Sequence, residues 1–313
     1  MGKGSRPPDG GSWKDVGAAG RSVVPWLGGL ADITTSVKDA TPPVKPKPLP
    51  FRVICMSTPN ALILRSPGAN CDGEAAFACE RAGARVQRLH VNALRENPGR
   101  LRDFQILVVP GGFSYGDDVG AGKVLALQLQ HFLADALRKF RDAEKLILGI
   151  CNGFQVLLKA GLLIPPDEDG PLATLGFNES GKFEDRWVHL QATPGKCPFL
   201  KGIDRMHVPV AHGEGNFVCR REWIVRGLAQ AGQVVLRYVD GHGRRAGYPI
   251  NPNGSQDDIA GVCDYSGRVL GLMPHPERHV LPTQSPHWTR HGLKPEGDGL
   301  QLFRNAVEFF EKE

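Results

Sequence analysis

The stretch Lys145-Leu-Ile-Leu-Gly-Ile-Cys-Asn-Gly-Phe-Gln-Val-Leu-Leu-Lys159 changes character halfway along its length. Residues 145–150 form a short run rich in leucine and isoleucine, which is typical of a buried strand. After Asn152 the apolar residues fall on one side of a helix instead of alternating, namely Phe154, Val156, Leu157, Leu158 and Leu162. The pattern predicts a strand, a sharp turn at Gly149-Ile-Cys-Asn-Gly153, and a helix.

Cys151 stands in this turn at the position where many hydrolases place a nucleophilic serine. The flanking Gly149 and Gly153 permit a turn too tight for side chains, which exposes the nucleophile above the carboxyl end of its strand. The start of the next helix carries about half a positive charge, and a nearby imidazolium would pair with the sulfur, so both favour a thiolate. The alternative is that Cys151 is one more small buried thiol. The glycine frame favours the nucleophile.

The composition is that of a protein that folds without disulfides or metal. With 313 residues there is room for one large or two small domains with a substantial core. The cysteines lie at positions 55, 71, 79, 151, 197, 219 and 263, without CxxC pairs or Cys/His ligand spacing. Such a set predicts reduced thiols and no metal site. No apolar run is long enough to span a membrane and no signal-peptide core is present, so we expect a soluble cytoplasmic protein.

The formal charge of +5 is concentrated at the N-terminus, where residues 1–50 hold seven Lys or Arg against four Asp. The remaining residues are nearly neutral and lack a basic stripe with interleaved aromatics, which disfavours nucleic-acid binding. Residues 1–50 also contain eight Gly and eight Pro. The composition predicts a disordered leader over 1–50 and a folded domain over 51–313. A targeting peptide, a translation start at Met56 and an edge strand at 51–55 remain alternatives.

Strands and helices alternate through the first half of the domain. Strands are predicted at 61–65, 85–90, 105–110 and 146–150, and helices at 73–82 and 123–140. Repeated units of this length predict a doubly wound α/β fold, in which helices cover both faces of a mainly parallel sheet. Ligands of such sheets bind outside the carboxyl ends of the strands, where Cys151 lies.

The second half reads differently. Short strands at 172–177, 187–193 and 207–211 predict an antiparallel extension of the sheet. Further strands are predicted at 234–240, 259–264 and 268–274, and a final amphipathic helix at 299–310.

Three loops carry residues that suit a site beside Cys151. Pro110-Gly-Gly-Phe-Ser-Tyr-Gly-Asp117 follows a predicted strand, and its Gly-Gly pair can turn a backbone N–H toward a neighbouring nucleophile, as an oxyanion hole requires. His212-Gly-Glu-Gly-Asn-Phe217 places polar side chains among glycines. Each of these two is open to a simpler interpretation as a turn.

The third loop, Pro274-His-Pro-Glu277, follows a buried strand. Alternate residues of an extended segment project the same way, so Glu277 is able to fix the tautomer of His275. Most histidines are structural or exposed, and Glu277 is open to interpretation as a solvated charge. Together with the cysteine turn, the pair favours a Cys-His-Glu triad.

The turn and the Pro274–Glu277 motif resemble those of the class I, triad-type glutamine amidotransferases. Five further motifs resemble the glutaminase subunits of phosphoribosylformylglycinamidine synthases: Gly68-Ala-Asn-Cys-Asp72, Gly111-Gly-Phe-Ser-Tyr-Gly-Asp117, His212-Gly-Glu-Gly-Asn-Phe217, Asn251-Pro-Asn-Gly-Ser255 and Met273-Pro-His-Pro-Glu-Arg278. The resemblance implies a three-layer α/β/α sandwich around a mainly parallel mixed sheet of flavodoxin-like type. One departure is Asp118-Val-Gly120, where many members have Tyr-Leu-Arg, which leaves the role of that arginine at the subunit interface unfilled.

The resemblance also implies roles. Cys151 would attack glutamine and form a γ-glutamyl thioester, His275 would transfer protons, and Glu277 would orient His275. The backbone N–H groups of Gly112 and Asn152 would hold the oxyanion, and Gln155 and His212 would hold substrate.

The implied partner is an ATP-dependent synthetase subunit that receives the ammonia and makes formylglycinamidine ribonucleotide in de novo purine biosynthesis, with a further small subunit as an additional partner. The glycine loops lack the Gly-Lys-Ser/Thr of a P-loop, so no cofactor is expected in this chain, and ATP and Mg²⁺ are expected on the synthetase. The alternatives are a stand-alone γ-glutamyl hydrolase, a cysteine peptidase of the same fold, or a non-catalytic regulatory subunit.

Overall fold

The computed structural model describes residues 58–311 of the chain. The strands in this range are β1 Asn60–Arg65, β2 Arg85–His90, β3 Ile106–Val109, β4 Leu146–Ile150, β5 Ala173–Gly176, β6 Glu184–Ala192, β7 Arg205–His212, β8 Asn216–Cys219, β9 Val234–Val239, β10 Ile259–Cys263 and β11 Val269–Leu272. The α-helices are α1 Asp72–Arg81, α2 Val91–Glu96, α3 Lys123–Phe132, α4 Ala134–Asp142, α5 Asn152–Lys159, α6 Glu222–Gln230, α7 Trp288–His291 and α8 Leu300–Glu311. The predictions for the leader 1–50, for Met56 and for the run 51–55 lie outside the described residues.

Nine of the described strands form one sheet in the order β2-β1-β3-β4-β11-β10-β9-β6-β7. The first five are parallel, and the last four continue the sheet with antiparallel pairings. The chain steps from β1 outward to β2 and then back past β1 to β3 and β4, so right-handed crossovers place α1 on one face and α3 on the other. α1 packs with α8, and α3 packs with α5. The predicted α/β class and its three layers are confirmed.

Every residue of β3 and β4 is buried, which is the continuous apolar pattern of strands covered on both faces. Val109 pairs with Gly149 and Leu272 pairs with Ile150, so β3, β4 and β11 end at the same level. The loops that follow these strands therefore meet at one edge of the sheet. They are the loops that carry the predicted oxyanion glycines, Cys151 and His275.

The predicted antiparallel extension is right for β6 and β7 but wrong for the first of the three strands. β5 instead pairs with β8 in a separate two-stranded sheet. The reason is Phe217 of β8, which is fully buried and stacks on Phe154 of α5 with ring centroids 6.2 Å apart. This small sheet therefore packs against α5, and β8 begins within the motif that was interpreted as a turn.

The helix predicted over 123–140 is two helices, α3 and α4, separated at Leu133. Leu133 leaves helical backbone geometry with φ −125° and is buried, although its N–H still donates to the Leu129 carbonyl at 3.0 Å. Core packing of one leucine thus kinks a run that contains no proline or glycine. No helix among the described residues has the length and apolar character needed to cross a membrane.

The glycines around Cys151 are required by close backbone packing. A Cβ on Gly153 of α5 would lie 1.8 Å from the carbonyl oxygen of Val109 in β3. A Cβ on Gly149 would lie 2.7 Å from the carbonyl oxygen of Gly153. The helix after Cys151 therefore lies directly against two strands, which fixes the angle at which the turn leaves the sheet.

We expect Gly153→Ala to lower the thermal midpoint by roughly 5 °C or more, because an added methyl group against backbone costs about 1–3 kcal/mol or more. Gly73→Ala is the matched control, since Gly73 is also the second residue of its helix, α1, and a Cβ there meets nothing within 4 Å. The control should keep or slightly raise the midpoint. Equal midpoints for the two variants, measured by calorimetry, would contradict this packing.

Candidate active site

Cys151 lies between β4 and α5 with φ 51° and ψ −108°, a backbone conformation that residues other than glycine rarely adopt. Its N–H donates to the Leu272 carbonyl at 2.8 Å, and its carbonyl accepts from the N–H groups of Phe154 and Gln155 at 2.9 and 3.2 Å. The first bond ties the turn to the end of β11, and the other two begin the helix. The predicted strand, turn and helix are confirmed, and the turn is strained.

His275 and Glu277 form a buried pair beside Cys151. The Nδ1 atom of His275 lies 2.6 Å from Oε1 of Glu277, and both residues are 1% exposed. A Cβ placed on Gly111 would lie 2.8 Å from Cε1 of His275 and 3.4 Å from Cβ of Cys151, so the ring and the cysteine converge on one glycine. Because the carboxylate accepts, Nδ1 carries a hydrogen, and Nε2 has no protein partner among the described residues.

The electrostatic surroundings of His275 favour its protonated form. Burial lowers the pKa of His275, but the charges of Glu277 and Cys151 outweigh burial and hold that pKa well above its usual value of 6.5. The protonated form, imidazolium, is thereby favoured. It is the form that pairs with a thiolate nucleophile.

The two expected oxyanion donors lie at the same edge of the sheet. Gly112 has φ 131° and lies so close to the loop after β1 that a Cβ would be 2.6 Å from the backbone nitrogen of Asn70. Asn152 is the first residue of α5, where helix N–H groups lack partners. Within residues 58–311, neither backbone N–H donates to a protein acceptor. Both are therefore available to a developing oxyanion.

A cavity of about 240 Å³ opens onto Cys151. Its lining includes Gly112, Gln155 and His212, so it brings these three predicted positions together with Cys151, whereas Asn152, His275 and Glu277 do not line it. The volume is below the range of drug-sized ligand sites and suits a small substrate. Three exposed rings stand at its mouth: Phe113, Phe177 and Phe183.

Gln155 connects the nucleophile's helix to the loop after β7. Its Nε2 donates to the Glu214 carbonyl at 2.6 Å, and its Oε1 accepts from Nδ2 of Asn152 at 2.9 Å. The same Nδ2 donates to Asp117 at 3.1 Å. Asp117 and Glu214 were not among the predicted site residues. Their signal in the sequence is an acidic residue inside each of the two glycine-rich loops.

His212 is neutral and presents a lone acceptor. Its Nδ1 lies 3.1 Å from Oδ1 of Asn178, whose Nδ2 donates to two carbonyls, so Oδ1 is the acceptor and Nδ1 the donor. Nε2 is then unprotonated, and it is buried without a partner in the described structure. Burial first, and the nearby charge of His275 second, lower the pKa of His212 to about 4. His212 is therefore suited to accept a hydrogen bond from a substrate N–H.

Residues 58–310 match the model of the CobB/CobQ-like glutamine amidotransferase domain family. The phosphoribosylformylglycinamidine synthase subunit PurQ of Dehalococcoides mccartyi is 48% identical over 256 residues, which cover 81% of this chain and 98% of that protein. PurQ of Methanococcus maripaludis is 42% identical over 268 residues, with 81% and 98% covered. A chain in the solved structure of PurLQS from Thermotoga maritima superposes with a TM-score of 0.62 at 33% identity, over 80% of this chain and 99% of that one.

Acid should destabilise the protein partly through His212. The pKa of His212 is about 4 in the folded protein and about 6.5 in the unfolded chain. As the pH falls, the unfolded chain therefore binds a proton at His212 before the folded protein does. The stability contributed by neutral His212 is present above pH 6.5 and is lost between 6.5 and 4. By pH 4.5 the loss is roughly 2 kcal/mol.

The free energy of unfolding, measured in urea at pH 7 and pH 4.5, should therefore fall less in His212→Asn than in the unaltered protein. His131→Asn, at an exposed position on α3, controls for removal of a histidine. If His212→Asn and the unaltered protein lose the same free energy over this interval, the neutral buried state of His212 is wrong.

Proposed function

Because the chain belongs to the CobB/CobQ-like glutamine amidotransferase family, and within it to the PurQ subunits of phosphoribosylformylglycinamidine synthase, we propose that Cys151, His275 and Glu277 are its catalytic triad. The protein is a glutaminase subunit of that synthase and acts in purine biosynthesis. The observation that carries the triad is geometric. A cysteine in a strained strand-to-helix turn lies beside a buried histidine whose Nδ1 is 2.6 Å from a buried carboxylate.

In the proposed reaction, the sulfur of Cys151 attacks the side-chain carbonyl carbon of glutamine. The carbon–nitrogen bond breaks, His275 gives its proton to the departing ammonia, and a γ-glutamyl thioester remains. His275 then takes a proton from water, which attacks the thioester and releases glutamate while the sulfur leaves. The N–H groups of Gly112 and Asn152 hold the oxyanion in both steps, each contributing about a hundredfold or more in rate.

Glutamine binding is assigned to the cavity that opens onto Cys151. His212 accepts a hydrogen bond from the substrate through its unprotonated Nε2. Gln155 acts on the substrate through the loop that it holds, since both ends of its amide already bond to the protein. A stand-alone γ-glutamyl hydrolase, a peptidase or a non-catalytic subunit fits less well, because the match to PurQ subunits extends over 98% of their length.

The synthetase subunit is the proposed partner, since the similar chain from Thermotoga maritima belongs to a structure of PurLQS. ATP and Mg²⁺ are assigned to that synthetase, and a further small subunit is a second proposed partner. The exposed rings of Phe113, Phe177 and Phe183 line the cavity that opens onto Cys151, so the synthetase is proposed to cover this opening and to receive the ammonia there.

Cys151→Ala should abolish glutamine-dependent synthesis by the assembled complex, while an ammonium salt still supports synthesis, because only the source of ammonia is lost. Cys219→Ala, which removes another buried thiol, should keep both activities. Product formation is measured with each nitrogen donor. Equal loss of the two activities in Cys151→Ala would show that Cys151 is structural.

His275→Ala should add little to the loss of glutaminase rate already caused by Cys151→Ala, because a nucleophile and its proton-transfer partner act as one unit. The rates of the two single variants and of the double variant are compared with glutamine as substrate. A large further drop in the double variant would give His275 a separate task.

A further inference from the structure

Cys71 is a second thiol at the catalytic histidine. It ends the loop after β1, is 1% exposed, and its N–H donates to the Gly111 carbonyl at 3.3 Å. Its Sγ, a ring nitrogen of His275 and a carboxylate oxygen of Glu277 all lie within 4.8 Å of one another. The Cβ that Gly111 lacks would be 3.3 Å from this sulfur and 3.4 Å from Cβ of Cys151. Gly111 thus has the nucleophile, the imidazole and a second sulfur around it.

The sulfur of Cys71 is held in place by charged and polar partners. Nη2 of Arg278 donates to Sγ at 3.1 Å, and the thiol lies 3.3 Å from Oδ1 of Asn70. Arg278 directly follows Glu277 in the chain and also pairs with Glu74 of α1 at 3.5 Å. Because guanidinium only donates, the sulfur acts as an acceptor here. A buried thiol that served only as packing would not require a guanidinium partner.

The first chemical step changes one of the two sulfurs beside the His275 ring, because the sulfur of Cys151 becomes acylated. When Cys151 becomes a thioester, its sulfur is bonded to the γ-glutamyl carbon and no longer pairs with the imidazole. The ring must nevertheless stay where it can take a proton from water. Cys71 is unchanged by acylation and remains beside the ring.

We propose that Cys71 is a positioning residue that keeps His275 in place while Cys151 carries the γ-glutamyl group. This proposal rests on the proposed function. Arg278 donates to the sulfur, and the sulfur, which lies within 4.8 Å of a ring nitrogen, limits movement of the ring during hydrolysis of the thioester. The motif Gly68-Ala-Asn-Cys-Asp72, which the sequence singled out without a role, thereby becomes part of the glutaminase site. Substitution of Cys71 should therefore slow mainly the second chemical step, which is hydrolysis of the thioester.

The test uses the assembled complex with Cys71→Ala, Cys71→Ser and, as the matched control, Cys79→Ala, which removes another buried thiol on the adjoining helix α1. We expect kcat with glutamine to fall about ten- to hundredfold in Cys71→Ala, since misplacing a reacting group by about 1 Å has such an effect. kcat should fall more than kcat/KM, and the thioester should accumulate after acid quench. Cys71→Ser should restore most of kcat, and ammonium-dependent synthesis should be unchanged in all three.

Arg278→Gln is the second test, since it keeps the buried thiol and removes its donor. It should lower kcat without affecting ammonium-dependent synthesis, and it keeps the proposal testable if Cys71→Ala fails to fold. The proposal is overturned if kcat of Cys71→Ala stays within about twofold of the unaltered protein, or if Cys71→Ala and Cys79→Ala lose kcat equally. A different result would overturn the proposed function itself, namely glutamine-dependent synthesis that persists in Cys151→Ala.

Discussion

The hydrogen bond from the Cys151 N–H to the Leu272 carbonyl is the constraint on which the site depends. It joins the end of the nucleophile's strand to the end of the strand that delivers His275. It also holds Cys151 at φ 51° and ψ −108°, where a side chain costs about 1–3 kcal/mol of backbone strain. The surrounding structure offsets that cost because Gly153 lets α5 lie against the Val109 carbonyl. The strained turn thus holds the nucleophile at the end of a buried parallel strand.

Backbone hydrogen bonds join the loops at this edge of the sheet to one another. The Gly68 carbonyl, in the loop after β1, accepts a hydrogen bond from the Phe113 N–H at 2.9 Å. This bond holds the loop that contains Gly112. In the same loop, the Gly111 carbonyl accepts a hydrogen bond from the Cys71 N–H. At Gly68 beside Phe113 and at Gly112 beside Asn70, backbone approaches backbone too closely for a Cβ. The precision of the site therefore comes from main-chain packing, and few of its side chains need to be large.

Local sequence patterns predicted the parts of the fold that local chemistry decides. The bounds of β2 and β4 are those predicted, because each is a short run closed by turn residues or by the cysteine turn. The break at Leu133 carries no local signal, since it arises from burial of one leucine among others. The pairing of β5 with β8 depends on Phe217 meeting Phe154, which are far apart in the chain. The site shows the same division: the sequence assigns roles to Cys151, His275 and Glu277, whereas Cys71 and Glu214 lie in motifs that the sequence singles out but acquire a role only from their neighbours in the fold.

In the proposed mechanism Cys151 carries the substrate during turnover, and the most direct measurement of this is peptide mass spectrometry of the complex quenched in acid while it consumes glutamine. We expect a γ-glutamyl adduct on the peptide that contains Cys151 and no adduct on the peptides of the other cysteines. The adduct should disappear when glutamine is replaced by an ammonium salt. An adduct on a different residue would contradict the claim, as would steady glutamine hydrolysis by the Cys151→Ala complex.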